Sequence, residues 1–268
     1  MQIQNKVFIV TGGGNGIGRE LALILLSRNA RVIAIDKDAV GLQETQQLAG
    51  ENSGNLFTRH LDITDFDVVS SLPDQILGEH GVVDGLINAA GTIQAFQKIN
   101  SLDYAEIMRV MDNNYYSMVY MTKAFLPHLL TRPEAIIVNF SSMGGFLPVP
   151  GQGVYGASKA AVKLFTEALF AELLSTSVQI SLVFPGAVDT DIAAHSGVTF
   201  DPAMEEMGRE KFKPIAPRKA AEIIVAGIEK DRYRIFIGPD AKMMNILYRV
   251  APKFAAKFIT KQMGSLLG

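Results

Sequence analysis

Seven short apolar runs divide this 268-residue chain, at residues 7–11, 31–35, 56–60, 83–88, 135–140, 179–184 and 234–237. Several, such as Val32-Ile33-Ala34-Ile35, are apolar at every position. That pattern suits parallel strands covered by helices on both faces. Stretches with helical periodicity lie between them, at 16–28, 42–50, 66–79, a long one around 104–130, 154–174 and 219–229. Strand-helix alternation predicts right-handed βαβ units in one doubly wound parallel sheet, an α/β fold of about seven strands. No linker, repeat or low-complexity segment interrupts residues 1–268, which read as a single domain.

Polar residues and glycines collect where those runs end. Thr11-Gly12-Gly13-Gly14-Asn15-Gly16-Ile17-Gly18 joins the first run to the first helical stretch. Glycines there let the backbone turn tightly and leave room for a diphosphate against a helix N-terminus. At the first strand-to-helix crossing, this reads as a dinucleotide cradle. Asp36 ends the second run, where a carboxylate can accept from both ribose hydroxyls and would repel a 2′-phosphate. NAD is therefore favoured over NADP, with the adjacent Lys37 working against the preference. Asp62-Ile63 and Asn88-Ala89-Ala90-Gly91 close the third and fourth runs, at strand ends where such sheets bind ligands. Asn114 lies inside the long helical stretch, where Asn is mildly unfavourable and can interrupt the hydrogen-bond ladder and hold a water.

Ser142 closes the fifth run, and Pro185-Gly186-Ala187-Val188-Asp189-Thr190 closes the sixth. Tyr155 and Lys159, four residues apart, share one face of a helix. A phenol is a weak base at neutral pH, and a neighbouring ammonium favours the phenolate. Such a pair can move a proton to or from an alcohol or carbonyl.

Composition removes other classes of function. With no Cys, disulfides, thiolate catalysis and Cys-based metal sites are excluded, and the four scattered His show no metal-ligand spacing, so no metal is expected. A formal net charge of −2 without a basic stripe argues against nucleic acid. No apolar run reaches the length of a membrane span and no signal-peptide plan is present, so a cytoplasmic protein is expected.

Taken together, Thr11–Gly18, Asp62, Asn88–Gly91, Asn114, Ser142, Tyr155-x3-Lys159 and Pro185-Gly186-x3-Thr190 resemble, in order and spacing, the short-chain dehydrogenase/reductase family. The resemblance covers roughly residues 5–190 and implies a Rossmann-type fold with NAD(P) chemistry. It implies that Tyr155 is the acid/base, that Ser142 hydrogen-bonds the reacting oxygen, and that Asn114 positions a water in a proton relay. Lys159 would lower the Tyr155 pKa and bind the nicotinamide ribose. By the same resemblance, Gly12, Asn15, Gly16, Ile17, Gly18, Asp36, Asp62, Ile63, Asn88, Ala89, Gly91, Pro185, Gly186, Val188 and Thr190, with Tyr155 and Lys159, hold the cofactor. Residues 190–217 would cover the substrate. With Phe146, Pro148 and Gln152 they suggest a mainly apolar pocket, which gives Ser142, Phe146, Gln152 and Tyr155 as substrate residues. A homodimer or homotetramer on the helices around 104–130 and 154–174 is implied as well.

The expected reaction interconverts a secondary alcohol and a ketone with NAD(H). An NADPH-dependent 3-oxoacyl reductase is the nearest alternative. Many such reductases follow the last strand with a Gly-rich turn resembling TGxxxxVDGG, whereas here it continues Gly238-Pro239-Asp240. From another class, a catalytically silent NAD(H)-binding regulator is the alternative. Residues 240–268 form a tail with apolar and basic positions at helical spacing, expected to break near Pro252. A helix starting there puts Phe254 and Phe258 on one face, expected to pack on protein, with Lys253, Lys257 and Lys261 on a neighbouring one. Contact with an anionic membrane surface is the alternative for this tail.

Overall fold

The structure, a computed structural model, describes residues 1–199 and 214–263. Its strands are β1 (Val7–Thr11), β2 (Arg31–Asp36), β3 (Leu56–His60), β4 (Gly85–Asn88), β5 (Ala135–Phe140), β6 (Val178–Pro185) and β7 (Arg234–Ile237). All pair in parallel, in the order β3-β2-β1-β4-β5-β6-β7. The order reverses between β1 and β4, and the crevice beyond the carboxyl ends of those strands is where such sheets bind ligands.

Ten α-helices follow among the described residues: α1 (Gly16–Ser27), α2 (Ala39–Leu48), α3 (Phe66–His80), α4 (Tyr104–Met111), α5 (Ser117–Leu129), α6 (Gly153–Glu172), α7 (Ile192–His195), α8 (Pro217–Glu229), α9 (Pro239–Val250) and α10 (Pro252–Met263). Strand residues alternate between two cores, as the pleat requires. Phe8, Val10, Val32 and Ala34 pack with Leu21, Leu25, Ile224 and Ile228 of α1 and α8. Ile9, Ile33, Leu86 and Ile137 pack with Leu72, Phe125 and Leu169 of α3, α5 and α6. Both faces are covered, which is why apolar residues occupy both parities of the central strands.

Element boundaries differ from expectation for local reasons. The stretch 104–130 is not one helix: a π turn at Asp112–Tyr116 separates α4 from α5 and carries Asn114. α2 starts three residues early because Asp38 caps it, its carboxylate accepting from the Gly41 amide at 3.0 Å. Asp84, expected within a strand, precedes β4, and its buried carboxylate accepts from the Val7 amide and from Arg132 Nε, each at 2.9 Å.

The tail breaks at Pro252, where α9 gives way to α10. Ala255 and Ile259 turn inward with Met244 onto Leu147. Phe254 and Phe258 do not pack on their own domain: they stack on one another and stand 60% and 39% exposed. Starting α10 at Pro252 leaves the inward arc to Ala255 and Ile259, and the two Phe lie beside that arc on the outer face. Of the expected covering segment, residues 200–213 lie outside the described residues, as do 264–268 of the tail. No described helix is long and apolar enough to cross a membrane.

Candidate functional site

The turn after β1 wraps the mouth of the crevice. Gly12 sits at φ +71°, and a Cβ on it would come within 3.0 Å of the Ala90 backbone. A Cβ on Gly18 would overlap the Gly12 carbonyl oxygen. Only hydrogens fit at either place, so the backbone closes tightly around the opening of α1. That helix carries no acidic residue in its first turn, and its N-cap residue, Asn15, makes no capping bond. The Asn15 side chain donates instead to Asp38 Oδ2 at 2.7 Å. The first amides of α1 are thus left for an anion.

At the end of β2, Asp36 holds the turn through both carboxylate oxygens. Oδ2 accepts from the Gly14 amide at 2.9 Å and Oδ1 from the Asp38 amide at 3.0 Å. The Lys37 ammonium donates to Asn113 Oδ1 at 3.2 Å, which ties it to the π turn. The Gly41 amide is the main reason Asp38 titrates below the ordinary carboxylate range, helped by Asn15 and by the charge of His195.

The opposite end of the crevice is built by β5 and the start of α6. Ser142 follows β5, and its Oγ accepts from the Gly144 amide at 3.1 Å. Tyr155 lies in the first turn of α6, whose Val154 and Tyr155 amides both donate to Gln94 Oε1, at 2.9 and 3.0 Å. Lys159 follows one turn later, almost fully buried, with Nζ donating to the Phe140 carbonyl at 3.0 Å. Gly91 closes this end: a Cβ on it would stand 3.1 Å from Lys159 Nζ and 3.2 Å from Asn114 Oδ1.

Burial decides both titrations. It pushes the Tyr155 phenol above its ordinary 10.0, against a smaller opposing effect of a hydrogen bond with Ser142. It draws the Lys159 ammonium from 10.5 down to about 8. The expectation that Lys159 lowers the Tyr155 pKa is not met in the protein alone, because desolvation disfavours both charged forms.

Asn114 sits behind Lys159 rather than against the cavity. Its Oδ1 accepts from the Thr92 amide at 2.8 Å, and its Nδ2 donates to the Thr92 carbonyl and to Ser158 Oγ, both at 2.9 Å. Through these three bonds, which use both Nδ2 hydrogens, the side chain joins the π turn, the strand-end loop and α6.

A cavity of about 340 Å³ runs between these two ends. Gly12, Asn15, Gly16, Ile17 and Gly18 line it at the cradle, with Asp36, Asp62 and Ile63 nearby. Ala89, Gly91, Ser142, Tyr155 and Lys159 line it at the far end, and Pro185, Gly186, Val188 and Thr190 form its cover. Besides Asn114, three expected site residues do not line it. Asn88 shares the parity of Leu86, so its amide turns under α5 and donates to Thr122 Oγ1 at 3.2 Å and Asn139 Oδ1 at 2.8 Å. Gln152 is buried as a brace, its Nε2 donating to the Gln94 carbonyl at 2.6 Å. Phe146 packs edge-on against Phe184, 5.7 Å between centroids, within the cluster under the tail.

Other lining residues had drawn no notice in the sequence. Ile192 and His195 of α7 line the cavity. Just after α7, Ser196 Oγ accepts from Thr92 Oγ1 at 2.9 Å and from the Ile93 amide at 3.0 Å. His195 Nε2, on the last residue of the helix, stands 3.8 Å from Asp38 Oδ2. Arg109, itself held by Glu106, anchors the receiving loop by donating to Thr92 Oγ1 and the Ile93 carbonyl, both at 2.8 Å. A lone Thr, His or Arg carries no motif; only Asp38 had a readable signal, as a cap three residues before Gly41.

Comparison with known proteins sets this geometry in context. The sequence profile described as short chain dehydrogenase matches residues 6–199. A Mycobacterium tuberculosis protein provisionally named as the oxidoreductase SadH is 34% identical over 252 residues, 92% of this chain and 91% of its own length. A short chain dehydrogenase/reductase from Burkholderia phymatum, solved in complex with NAD, superposes with a TM-score of 0.82 at 24% identity, covering 93% of this chain and 96% of that one. A short chain dehydrogenase from Burkholderia cenocepacia, solved in complex with NADP, gives 0.78 at 25% identity, covering 97% and 99%.

Proposed function

This chain belongs to the short-chain dehydrogenase/reductase family of oxidoreductases, and on that premise we propose that it interconverts a secondary alcohol and a ketone with NAD(H). One observation carries the reading: Ser142, Tyr155 and Lys159 converge on the end of a cavity whose other end is a glycine cradle at an uncapped helix N-terminus. The cradle, too tight for any Cβ, fits a diphosphate, and Asp36 stands where ribose hydroxyls would be read.

A nicotinamide held by these residues would supply the hydride chemistry at the carbinol or carbonyl carbon. Tyr155 holds the proton that leaves or joins the substrate oxygen. The Ser142 hydroxyl is placed to hold that same oxygen through the change in its charge. Lys159 stands one helical turn from Tyr155 to donate to the cofactor ribose, and Asn114 fixes Thr92 and α6 around it. The test is a panel of alcohols and ketones, followed by nicotinamide absorbance with both dinucleotides. Binding of a dinucleotide with no turnover across the panel would instead favour the silent regulator.

Asp36 supports a preference for NAD, since its carboxylate would face a 2′-phosphate. NAD is expected to exceed NADP in kcat/KM by roughly one to three decades. Asp36→Ala is expected to shrink that ratio, with Lys37 then free to leave Asn113 for a 2′-phosphate. A wild-type protein preferring NADP would show that Lys37 sets the choice.

Assembly as a homodimer or homotetramer through α4–α6 is part of this reading. Tyr104 is 87% exposed, and Met108, Tyr116 and Leu164 stand out on the same set of helices. Light scattering that returned a monomeric mass would overturn it.

A further inference from the structure

The two tail helices present a second set of exposed apolar residues. On α9, Met243, Ile246 and Val250 point outward, Val250 at 80% exposure. On α10, Phe254 and Phe258 do the same. The inward arcs of both helices are already occupied by Ala241, Met244, Ala255 and Ile259. The outward residues therefore make no contribution to the packing that holds the tail in place.

Charge indicates what covers them. Lys242 and Arg249 flank the outward arc of α9, and Lys253, Lys257 and Lys261 run along that of α10. Residues 241–263 carry those five cations and no carboxylate, in a chain whose net charge is −2. A second copy meeting this face through a two-fold axis would set cation against cation. We propose that α9 and α10 dock the protein in the plane of an anionic lipid bilayer, with the Phe, Val, Ile and Met side chains entering the acyl boundary and the five cations meeting lipid phosphates. Neither helix exceeds 12 described residues, and the tail is proposed to lie on the membrane rather than to cross it. Its inner side rests on Leu147, Met143 and Phe146, in the segment that follows Ser142. Docking would thus hold the β5–α6 end of the cavity close to the lipid surface.

The full-length protein is sedimented with vesicles of phosphatidylcholine alone and of phosphatidylcholine with phosphatidylglycerol. Binding is expected only with the anionic lipid, and is expected to fall as salt is raised. Replacing Phe254→Ser and Phe258→Ser together is expected to lower the partition coefficient by at least about tenfold. Changing Lys253, Lys257 and Lys261 to Glu is expected to lower it by about a hundredfold or more. Melting temperatures are expected to stay near wild type, because all five side chains are exposed. Equal binding to both vesicle types, or full binding by the lysine variant, would overturn the proposal. So would loss of an oligomer in the Phe variant without vesicle binding by the wild type, which would assign the face to a second copy.

Discussion

Tyr155→Phe is expected to lower kcat by about two to four orders of magnitude while leaving dinucleotide binding nearly unchanged. The substitution removes the phenol oxygen and keeps the ring, which lies against Gly144. Nothing in the cradle at α1 is touched. Retention of more than a few per cent of the wild-type rate, measured beside a binding titration, would assign the proton to another group. The pH profile carries further information. Burial holds the phenol above 10.0, so the protein alone keeps it protonated through the neutral range. In that state Tyr155 is a donor, suited to ketone reduction. Alcohol oxidation needs the phenolate, and its rate is expected to rise with pH towards the phenol's pKa in the complex. A flat profile with chemistry rate-limiting would count against the assignment.

Strand number, parallel pairing and the places where strands end were readable because they follow from composition at short range. A run such as Val32-Ile33-Ala34-Ile35 admits few roles other than a strand covered on both faces. Side-chain direction was less readable for the same reason. With both parities apolar, nothing in the run ending at Asn88 says which way its amide turns. Pairing with β1 and β5 settles that, and sends the amide under α5. Gln152 and Phe146 lie close in sequence to Ser142 and Tyr155, but Gln152 is drawn back to Gln94 and Phe146 to Phe184. Proximity in sequence does not fix such directions.

Long-range contacts account for most of what the motifs missed. The contact of Ser196 with Thr92 and Ile93 joins segments about a hundred residues apart, and the approach of His195 to Asp38 spans still more of the chain. No local period reports either. In the tail, helical periodicity showed two faces and Pro252 marked the break. Which face met the domain depended on the shape of the surface around Leu147, and the smaller Ala255 lies there. The titration of Tyr155 was misjudged for a related reason. An i, i+4 spacing shows that Lys159 is near, whereas the burial that raises the phenol's pKa is a property of the whole fold.

Lys159→Met is expected to abolish turnover and also to remove a pH dependence from the stability of the cofactor-free protein. Lys159 is 5% exposed, and burial brings its ammonium from 10.5 to about 8. Below about 8 the native state holds a buried charge that the unfolded chain keeps in water. Between about 8 and 10.5 the unfolded chain binds more protons than the native one, so this group's contribution to stability rises with pH across that window. The displacement corresponds to a span of about 3 kcal/mol. Met fills similar volume without the charge. It also leaves the Phe140 carbonyl without its partner, which lowers the stability of the variant by a similar amount at every pH. The readout is therefore a difference in slope, not in level. Unfolding of wild type and variant, compared at matched pH from 7 to 10.5, is expected to show the wild type gaining on the variant by a few kcal/mol. Saturating dinucleotide is expected to flatten the wild-type curve, since new acceptors at Nζ restore the ammonium. Parallel curves without dinucleotide would mean that Lys159 keeps an ordinary pKa in the native protein, and that its ammonium is solvated in a way this cavity does not allow.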